Sequence, residues 1–277
     1  MTNRFKFPNE LMVFVFAALL LLIPSVVSGQ TTPTPTRDPS AIALANRALQ
    51  ALAGGTALND ITLQATASYT AGSDQELGAA TLAALGNQQS RVALSLTNGP
   101  RTEIRSGPVG DWLGPDGAEH AMALHNCWSD AAWFYPGLSL QALSRDPGLG
   151  LAYVGPETKS GLAVIHLRFF RVVPSASAGI DPTVLKLSTE DLYLDAASFL
   201  PLFLDFNVHP DTDFTRSIAV EIVFSGYQKM NGIAVPARIH KYLNGSLQLH
   251  LTVGSAAINS GLPASEFAVT ASTGGAQ

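Results

Sequence analysis

Strict alternation of apolar and polar side chains is the feature of this sequence that most constrains its fold. A period of two residues places successive side chains on opposite faces of a β-strand and gives the strand one apolar face. The second half of the chain is therefore predicted to form half-buried strands rather than helices. The apolar positions of the three clearest runs are Leu202, Leu204, Phe206 and Val208; Ile218, Val220, Ile222 and Phe224; and Leu247, Leu249, Leu251 and Val253.

Three Asn-Gly pairs lie between such runs, at Asn98-Gly99, Asn231-Gly232 and Asn244-Gly245. This pair favours the type I′ turn of a two-residue hairpin, because both turn residues take positive φ. Neighbouring strands are therefore predicted to pair antiparallel, in one sheet of about ten strands. The predicted strands cover residues 61–70, 76–85, 91–97, 101–106, 150–154, 161–173, 184–194 and 202–208, followed by a meander over 213–230, 233–243 and 246–258.

Three segments depart from the strand pattern. Asp38 is a suitable N-cap before Pro39, and apolar residues recur at spacings of three and four until Gly54-Gly55. This predicts one amphipathic helix of about four turns. The aromatic-rich segment 126–142 is expected to form two short helices, or a helix and a loop. The segment 111–117 is predicted to form a tight turn.

The first 29 residues have the pattern of a secretory signal peptide. Arg4 and Lys6 precede an apolar run over 11–27, and small residues end that run. The alternative is an uncleaved membrane anchor, although a spanning helix usually needs about 20 apolar residues. The protein is therefore expected in the periplasm or outside the cell. The predicted parts are a signal peptide over 1–29, a Pro/Thr linker over 30–38, a folded domain over 39–267 and a disordered tail over 268–277.

Composition and motifs exclude several classes of function. Only 13% of the residues are charged and the net charge is −5, so a nucleic acid is not an expected partner. The single cysteine, Cys127, excludes an internal disulfide and a cysteine-built zinc site. Common hydrolase, metalloprotease and nucleotide-binding motifs are missing from the sequence. The prediction is therefore a monomer without catalytic residues, metal or cofactor, in which His166, His240 and His250 are solvated.

The predicted helices are too few to cover the whole apolar face of the predicted sheet. About ten strands present a wide apolar face, whereas one helix of about four turns and one short helical segment are available to cover it. Either the sheet curls and fills its own interior, or it forms an open concavity that can hold an apolar guest. The low charge and the aromatic-rich segment favour the open concavity.

The order of motifs resembles the periplasmic lipoprotein-carrier superfamily of LolA, LolB and LppX-like proteins. The likeness rests on the capped helix after the signal peptide, on the strand-turn-strand segment Glu221 to Ile239 around Asn231-Gly232, and on the closing Leu262-Pro263-x-x-x-Phe267. It implies a single α+β domain, an unclosed antiparallel β-barrel whose concave face holds acyl chains beneath helices. It also implies an arginine that bonds the lid, for which Arg91, Arg101 and Arg105 are candidates by location.

The expected function is therefore binding of a hydrophobic or lipid-like molecule without chemistry, with an envelope protein as a possible further partner. Strand phase and the resemblance together assign the floor of the site to Leu202, Leu204, Phe206, Val220, Ile222, Leu249 and Leu251, and its lid to the N-terminal helix with Trp128, Trp133 and Phe134. Two alternatives stay open. One is an envelope interaction module with a filled core, and the other is a hydrolase-type enzyme whose site residues are not contiguous in sequence.

Overall fold

The strands form one large antiparallel sheet and one small hairpin. The computed structural model describes residues 37–175 and 179–269; the predicted signal peptide, residues 30–36 of the linker and 270–277 of the tail lie outside them. The strands are β1 (Asp60–Ala71), β2 (Asp74–Leu85), β3 (Gln89–Leu96), β4 (Gly99–Ser106), β5 (Val109–Leu113), β6 (Glu119–Ala121), β7 (Leu149–Lys159), β8 (Leu162–Arg171), β9 (Glu190–Asp195), β10 (Pro201–Val208), β11 (Ile218–Ser225), β12 (Gln228–Met230), β13 (Ile233–Val235), β14 (Arg238–Leu243) and β15 (Ser246–Ile258).

Three helices accompany the strands: α1 (Pro39–Ala53), α2 (Pro136–Arg145) and α3 (Pro182–Ser188). Short 3₁₀ helices lie at Leu124–Asn126 and Ala264–Phe267. Within the described ranges, none of the helices is long and apolar enough to cross a membrane.

Thirteen of the described strands form an open sheet in the order β6-β5-β4-β3-β2-β1-β15-β14-β11-β10-β9-β8-β7. The first and last strands, β1 and β15, pair near its middle, with Ile61 opposite Ile258. The strands β6 and β7 follow each other in the chain but lie at opposite edges, so residues 122–148 must connect one edge with the other. They do so on the apolar face, where α2 packs on α1. The predicted α+β half-barrel is confirmed, with more strands than the sequence indicated.

The N-terminal helix forms as predicted. Asp38 accepts a hydrogen bond from the Ser40 N–H at 2.7 Å and caps the first turn. Gly54, at φ 58°, ends the helix, because glycine adopts the left-handed conformation without steric cost. The helix lies close to the sheet because the residues of its most buried stripe are small: Ala41, Ala45 and Ala48 are fully buried.

The end of the predicted linker contacts the edge of the sheet. Arg37 donates a hydrogen bond to the Leu149 carbonyl at 2.9 Å, and also to the carbonyls of Asp146 and Leu143. The Asp38 N–H donates to the Leu151 carbonyl at 2.7 Å. The chain that enters α1 therefore occupies hydrogen-bonding groups at the start of β7.

The predicted late meander is correct in pairing and wrong in strand length. β11 pairs with β14 and β14 with β15, but residues 228–235 leave the sheet as the separate hairpin β12-β13. Gly226, at φ 64°, ends the extended backbone before this hairpin, and Pro236, which has no N–H for a ladder bond, follows it. Residues 213–217, predicted as strand, form a turn instead.

Three local predictions are also wrong. The predicted strand 184–194 is helix α3 followed by β9, because Asp181 caps a helix start at Pro182 and accepts bonds from the next N–H groups. The Asn98-Gly99 pair does not form the turn; Leu96 lies opposite Gly99, so Thr97 and Asn98 are the turn residues. The predicted turn at 111–117 begins within β5.

The two remaining Asn-Gly turns provide a stability test. Asn231-Gly232 and Asn244-Gly245 take positive φ at all four residues, as a type I′ turn requires. A β-branched residue is strained at positive φ, so Gly232→Val and Gly245→Val are each expected to lower the free energy of unfolding by about 1 kcal/mol or more. Urea titration measures the change. Thr252→Val, on an exposed position of β15, is the matched control and should leave the free energy of unfolding unchanged. If both glycine variants are as stable as the parent protein, the turn assignment is contradicted.

Candidate functional site

A cavity of about 380 Å³ opens on the apolar face of the sheet. It lies among residues of β3, β4, β5, β10, β14 and β15 and of the connection 122–148. The helices α1 and α2 contribute nothing to its lining and instead pack on the remainder of this face. The concave side is therefore partly filled core and partly open cavity.

One wall of the cavity is apolar. Val92 and Leu94 come from the inward phase of β3, where they lie opposite the buried Leu82 and Ala80 of β2. Regular alternation in these paired strands places their apolar side chains on the same face. The other main apolar contributions come from neighbouring strands and from the connection: Phe206, Leu249, Leu243, Val208 and Trp133.

The adjacent strand β4 carries charged side chains. Arg101, Glu103 and Arg105 lie opposite Leu94, Val92 and Ser90 in the strand register, so all three belong to the inward phase. Arg101 binds both oxygens of the buried Glu76 at 2.7 Å, and this hydrogen bonding lowers the pKa of Glu76. The positive charge of Arg101 is thus matched within the protein.

Lys241 is a further cation on the inward phase. It lies opposite Ile222 of β11 and Leu249 of β15, both of which are buried core residues. Its Nζ lies 4.6 Å from the centre of the Trp133 ring, a cation–π contact. Burial lowers the pKa of Lys241, because removal from water disfavours the ammonium form.

The connection 122–148 is bound to both halves of the sheet by buried polar groups. From β4, Arg105 donates to the Ser129 carbonyl at 2.6 Å. From β8, the Arg171 Nε donates to the Trp128 carbonyl at 2.9 Å, and from β9 Glu190 accepts a hydrogen bond from the Asp130 N–H. Arg105 is one of the arginines that the sequence offered for a lid contact, and it binds the segment that covers the cavity.

Asp130 of this connection and Glu190 of β9 form a buried acidic pair. Both are almost completely inaccessible to solvent. Burial is the largest cause that raises the pKa of each carboxyl group, and the charge of Asp130 raises that of Glu190 further, to about 8. The charges of Arg105 and Arg171 lower the pKa of both carboxyl groups, but by less than burial raises it. At neutral pH the pair therefore favours uptake of a proton.

The residues predicted for the site are brought together only in part. Phe206, Leu249 and Trp133 line the cavity. Leu204, Val220, Ile222, Leu251 and Phe134 belong to the filled core and are at most 1% exposed. Trp128 lies instead beside Asp130 and Glu190, at a separate and very small cleft.

Leu202 lies away from the predicted floor and packs with Val164, Tyr193 and Phe203. The register shifts between Pro201 and Phe203, so a bulge at Leu202 interrupts the alternation on which its assignment depended. A second bulge, at Gln248, leaves Leu247 40% exposed although its predicted phase was apolar. Both errors come from extra residues that period-two counting cannot detect.

His166 was predicted to be solvated, and this prediction is wrong. It is buried, with ring nitrogens 2.8 Å from Glu157 and 2.7 Å from Asp191. These acids belong to a polar cluster on the face opposite the core, in which Lys159 bridges Asp205 and Glu221. No group of three or more potential metal ligands occurs within residues 37–175 and 179–269.

Of the charged residues at the cavity, Arg101 and Arg105 were named from the sequence only as lid candidates by location, and Lys241 and Glu103 were not predicted. Lys241 carries a detectable signal, because it interrupts the apolar phase Ile239-x-Lys241-x-Leu243 in a strand whose neighbours are apolar. The inward arginines and Glu103 carry a weaker sequence signal. The charged residues of β4 occupy alternate positions, and such a pattern fits equally well with a strand whose charged side faces solvent.

Comparison with known proteins identifies the fold. Neither a protein-family model nor a curated protein matches the sequence. A LolA superfamily protein from Nitrosomonas europaea is similar in structure, with a TM-score of 0.51 and 13% identity, over 82% of this chain and 97% of that one. A DUF1329 family protein from Desulfovibrio piger gives 0.49 at 12% identity, over 83% and 96% of the two chains. An outer membrane lipoprotein-sorting protein domain from Vibrio parahaemolyticus gives 0.48 at 11%, over 82% and 96%. The similarity to the Nitrosomonas europaea protein supports the LolA-like fold that the motifs implied.

The buried acidic pair makes stability depend on pH with a defined sign. Glu190 binds its proton more tightly in the folded protein than in the unfolded chain, where its pKa is near 4.5. Its stabilising contribution is therefore complete below that pH and is lost as the pH rises through about 8. Between pH 5, near the lower end of this window, and pH 9, about one unit above its upper end, the Tm of the parent protein should fall. We expect much of this fall to be absent in the Glu190→Gln variant.

Thermal melting monitored by circular dichroism measures this dependence. The matched control is Glu266→Gln, because Glu266 is exposed and its replacement should leave the pH profile as it is. An unchanged profile for Glu190→Gln would show that this carboxyl group ionises in the folded protein as it does in the unfolded chain.

Proposed function

We propose that this protein binds a hydrophobic or lipid-like molecule in the cavity of the half-barrel and performs no chemistry on it. The observation that carries the proposal is the cavity itself, which has an apolar wall and lies on the inner face of the sheet. Burial of an acyl chain there is worth roughly 0.8 kcal/mol for each methylene group removed from water. Binding of this kind needs an apolar surface and no reactive residue.

The volume of the cavity limits the size of the guest. At about 380 Å³ it lies near the lower end of the 300–1,000 Å³ that is usual for ligand sites. If each non-hydrogen atom takes the ~30 Å³ of a liquid water molecule, about a dozen atoms fit. The guest in our proposal is therefore one short acyl chain, or one chain end of a larger lipid.

The proposed setting is the cell envelope. The N-terminal segment with the signal-peptide pattern and the Pro/Thr linker that follows it support export to the periplasm or beyond. A LolA-like fold is compatible with this location. An envelope protein that delivers or receives the guest remains part of the proposal.

A filled-core interaction module is the second candidate function. It is favoured by the complete burial of Leu204, Ile222 and Leu251, which form one core with α1 and α2 and leave most of the concave face unavailable. The two functions differ in whether the remaining cavity accepts a guest.

Cavity filling distinguishes the two candidates. Decanol, an uncharged molecule of suitable size, is titrated into the protein by isothermal calorimetry. Val208→Trp places a large ring at the half-buried cavity wall, and we expect it to weaken decanol binding by about tenfold or more, or about 1.4 kcal/mol.

The matched control is Val154→Trp, because Val154 is 51% exposed on β7 and does not line the cavity. This variant should bind decanol like the parent protein. If the folded parent shows no saturable binding, the lipid-binding proposal fails and the interaction module becomes the better account.

A further inference from the structure

Lys241 lies where the strand register requires an apolar residue. Its partners across the two neighbouring strands, Ile222 and Leu249, are 0% and 4% exposed. Lys241 is half-buried in this layer, and its apolar neighbours do not replace the hydration that the ammonium group loses, which costs free energy. The position is thus poorly suited to stability alone.

Among the residues that the structure describes, the ammonium group of Lys241 has no hydrogen-bond acceptor. Its described contact is the face of Trp133, and it forms neither a hydrogen bond nor an ion pair with any described residue. An ammonium group has three N–H donors, and a ring face satisfies none of them as an oxygen would. Glu103 attracts the charge through space, while Arg105 repels it.

Arg105 has a second unsatisfied donor at the same cavity. Its terminal nitrogens bind the Ser129 and Asp130 carbonyls and the Ser129 hydroxyl, but its Nε has no hydrogen-bond partner within 37–175 and 179–269. The residue is only 3% exposed, so water from the bulk solvent cannot easily serve this group. Two cationic side chains that repel each other therefore lie at one cavity, each with a donor to spare.

Among the described residues, neither Lys241 nor Arg105 forms an ion pair, although Asp130 and Glu190 act on Arg105 through space and Glu103 acts on Lys241. Arg101 is neutralised by Glu76. Of the two acids that line the cavity, Asp211 is exposed, and Glu103 makes no ion pair with any described residue. A negatively charged oxygen inside the cavity would interact favourably with both Lys241 and Arg105 and would reduce their mutual repulsion.

We propose that the guest is a single-chain amphiphile with an anionic head group, a carboxylate or a phosphate. The head group binds Lys241, with Arg105 as a second positive charge, and the chain lies on the apolar wall. This inference rests on the proposed function and specifies its ligand class. The shared chemistry is an anionic oxygen at the end of one acyl chain.

Head-group exchange on a constant chain tests the inference. Decanoate, decyl phosphate and decanol are titrated separately into the full chain by isothermal calorimetry at pH 7.5. We expect at least one of the two anions to bind about tenfold or more tightly than decanol, and the stronger of them identifies the head group. Lys241→Met should reduce that preference about fivefold or more, measured as the ratio of the anion's affinity to that of decanol in the same variant.

Two variants control for charge and for folding. Lys241→Arg keeps a cation at the site and should retain the anion preference. Lys229→Met removes an exposed lysine on β12 and should bind all three ligands like the parent protein. Thermal melting confirms that each variant is folded.

The possible results separate this inference from the proposed function. If decanol binds and neither anion is preferred, or if folded Lys241→Met keeps the full preference, the anionic head group is wrong and apolar binding stands. If none of the three ligands binds the folded parent, both the inference and the proposed function fail.

Discussion

The structure depends on the buried polar bonds that attach the connection 122–148 to both halves of an open sheet. Because β6 and β7 are consecutive in the chain but lie at opposite edges, this connection has to cross the apolar face. Arg105 binds it from one half, and Arg171 and Glu190 bind it from the other. These bonds fix its backbone next to the inner face of the sheet and place Trp133 at the cavity. Their removal would leave buried charges without partners, which costs more than the loss of an exposed ion pair.

The cavity exists because the covering elements do not extend over the whole face. α1 packs closely with its alanines, and α2 adds Leu138, Leu140 and Leu143 to the same core. Beyond them the sheet continues through β3 and β4, where the inward phase changes from apolar to charged. This change helps to keep the uncovered end open, because charged side chains such as Arg101 and Glu103 of β4 do not form a dry apolar core. A partly filled half-barrel thus combines a rigid core with a binding surface.

Sequence reasoning succeeded where local geometry is regular. The capped helix α1, most of the strands and the inward phase of Leu204, Phe206 and Ile222 follow from spacing alone. It failed at the bulges of Leu202 and Gln248, since one extra residue reverses a phase without changing the composition. The charged cavity was missed for a different reason. Lys241 leaves only the signal of one charge in the apolar phase of β14. Its place at the cavity depends on the connection 122–148, which supplies Trp133 and lies far from β14 in the sequence.

The central pairing of β1 with β15 has a consequence for the order in which the protein can fold. Strands β1 to β6 pair in sequence, so they can assemble by local hairpins as soon as they leave the ribosome. The free edge of β1 must then wait for the last strand of the sheet, because Ile61 lies opposite Ile258. Closure of this long loop belongs to the slow class of folding steps, and until it occurs the unpaired edge of β1 can associate with other chains. The last strand to be synthesised is thus the one that joins the two halves of the sheet.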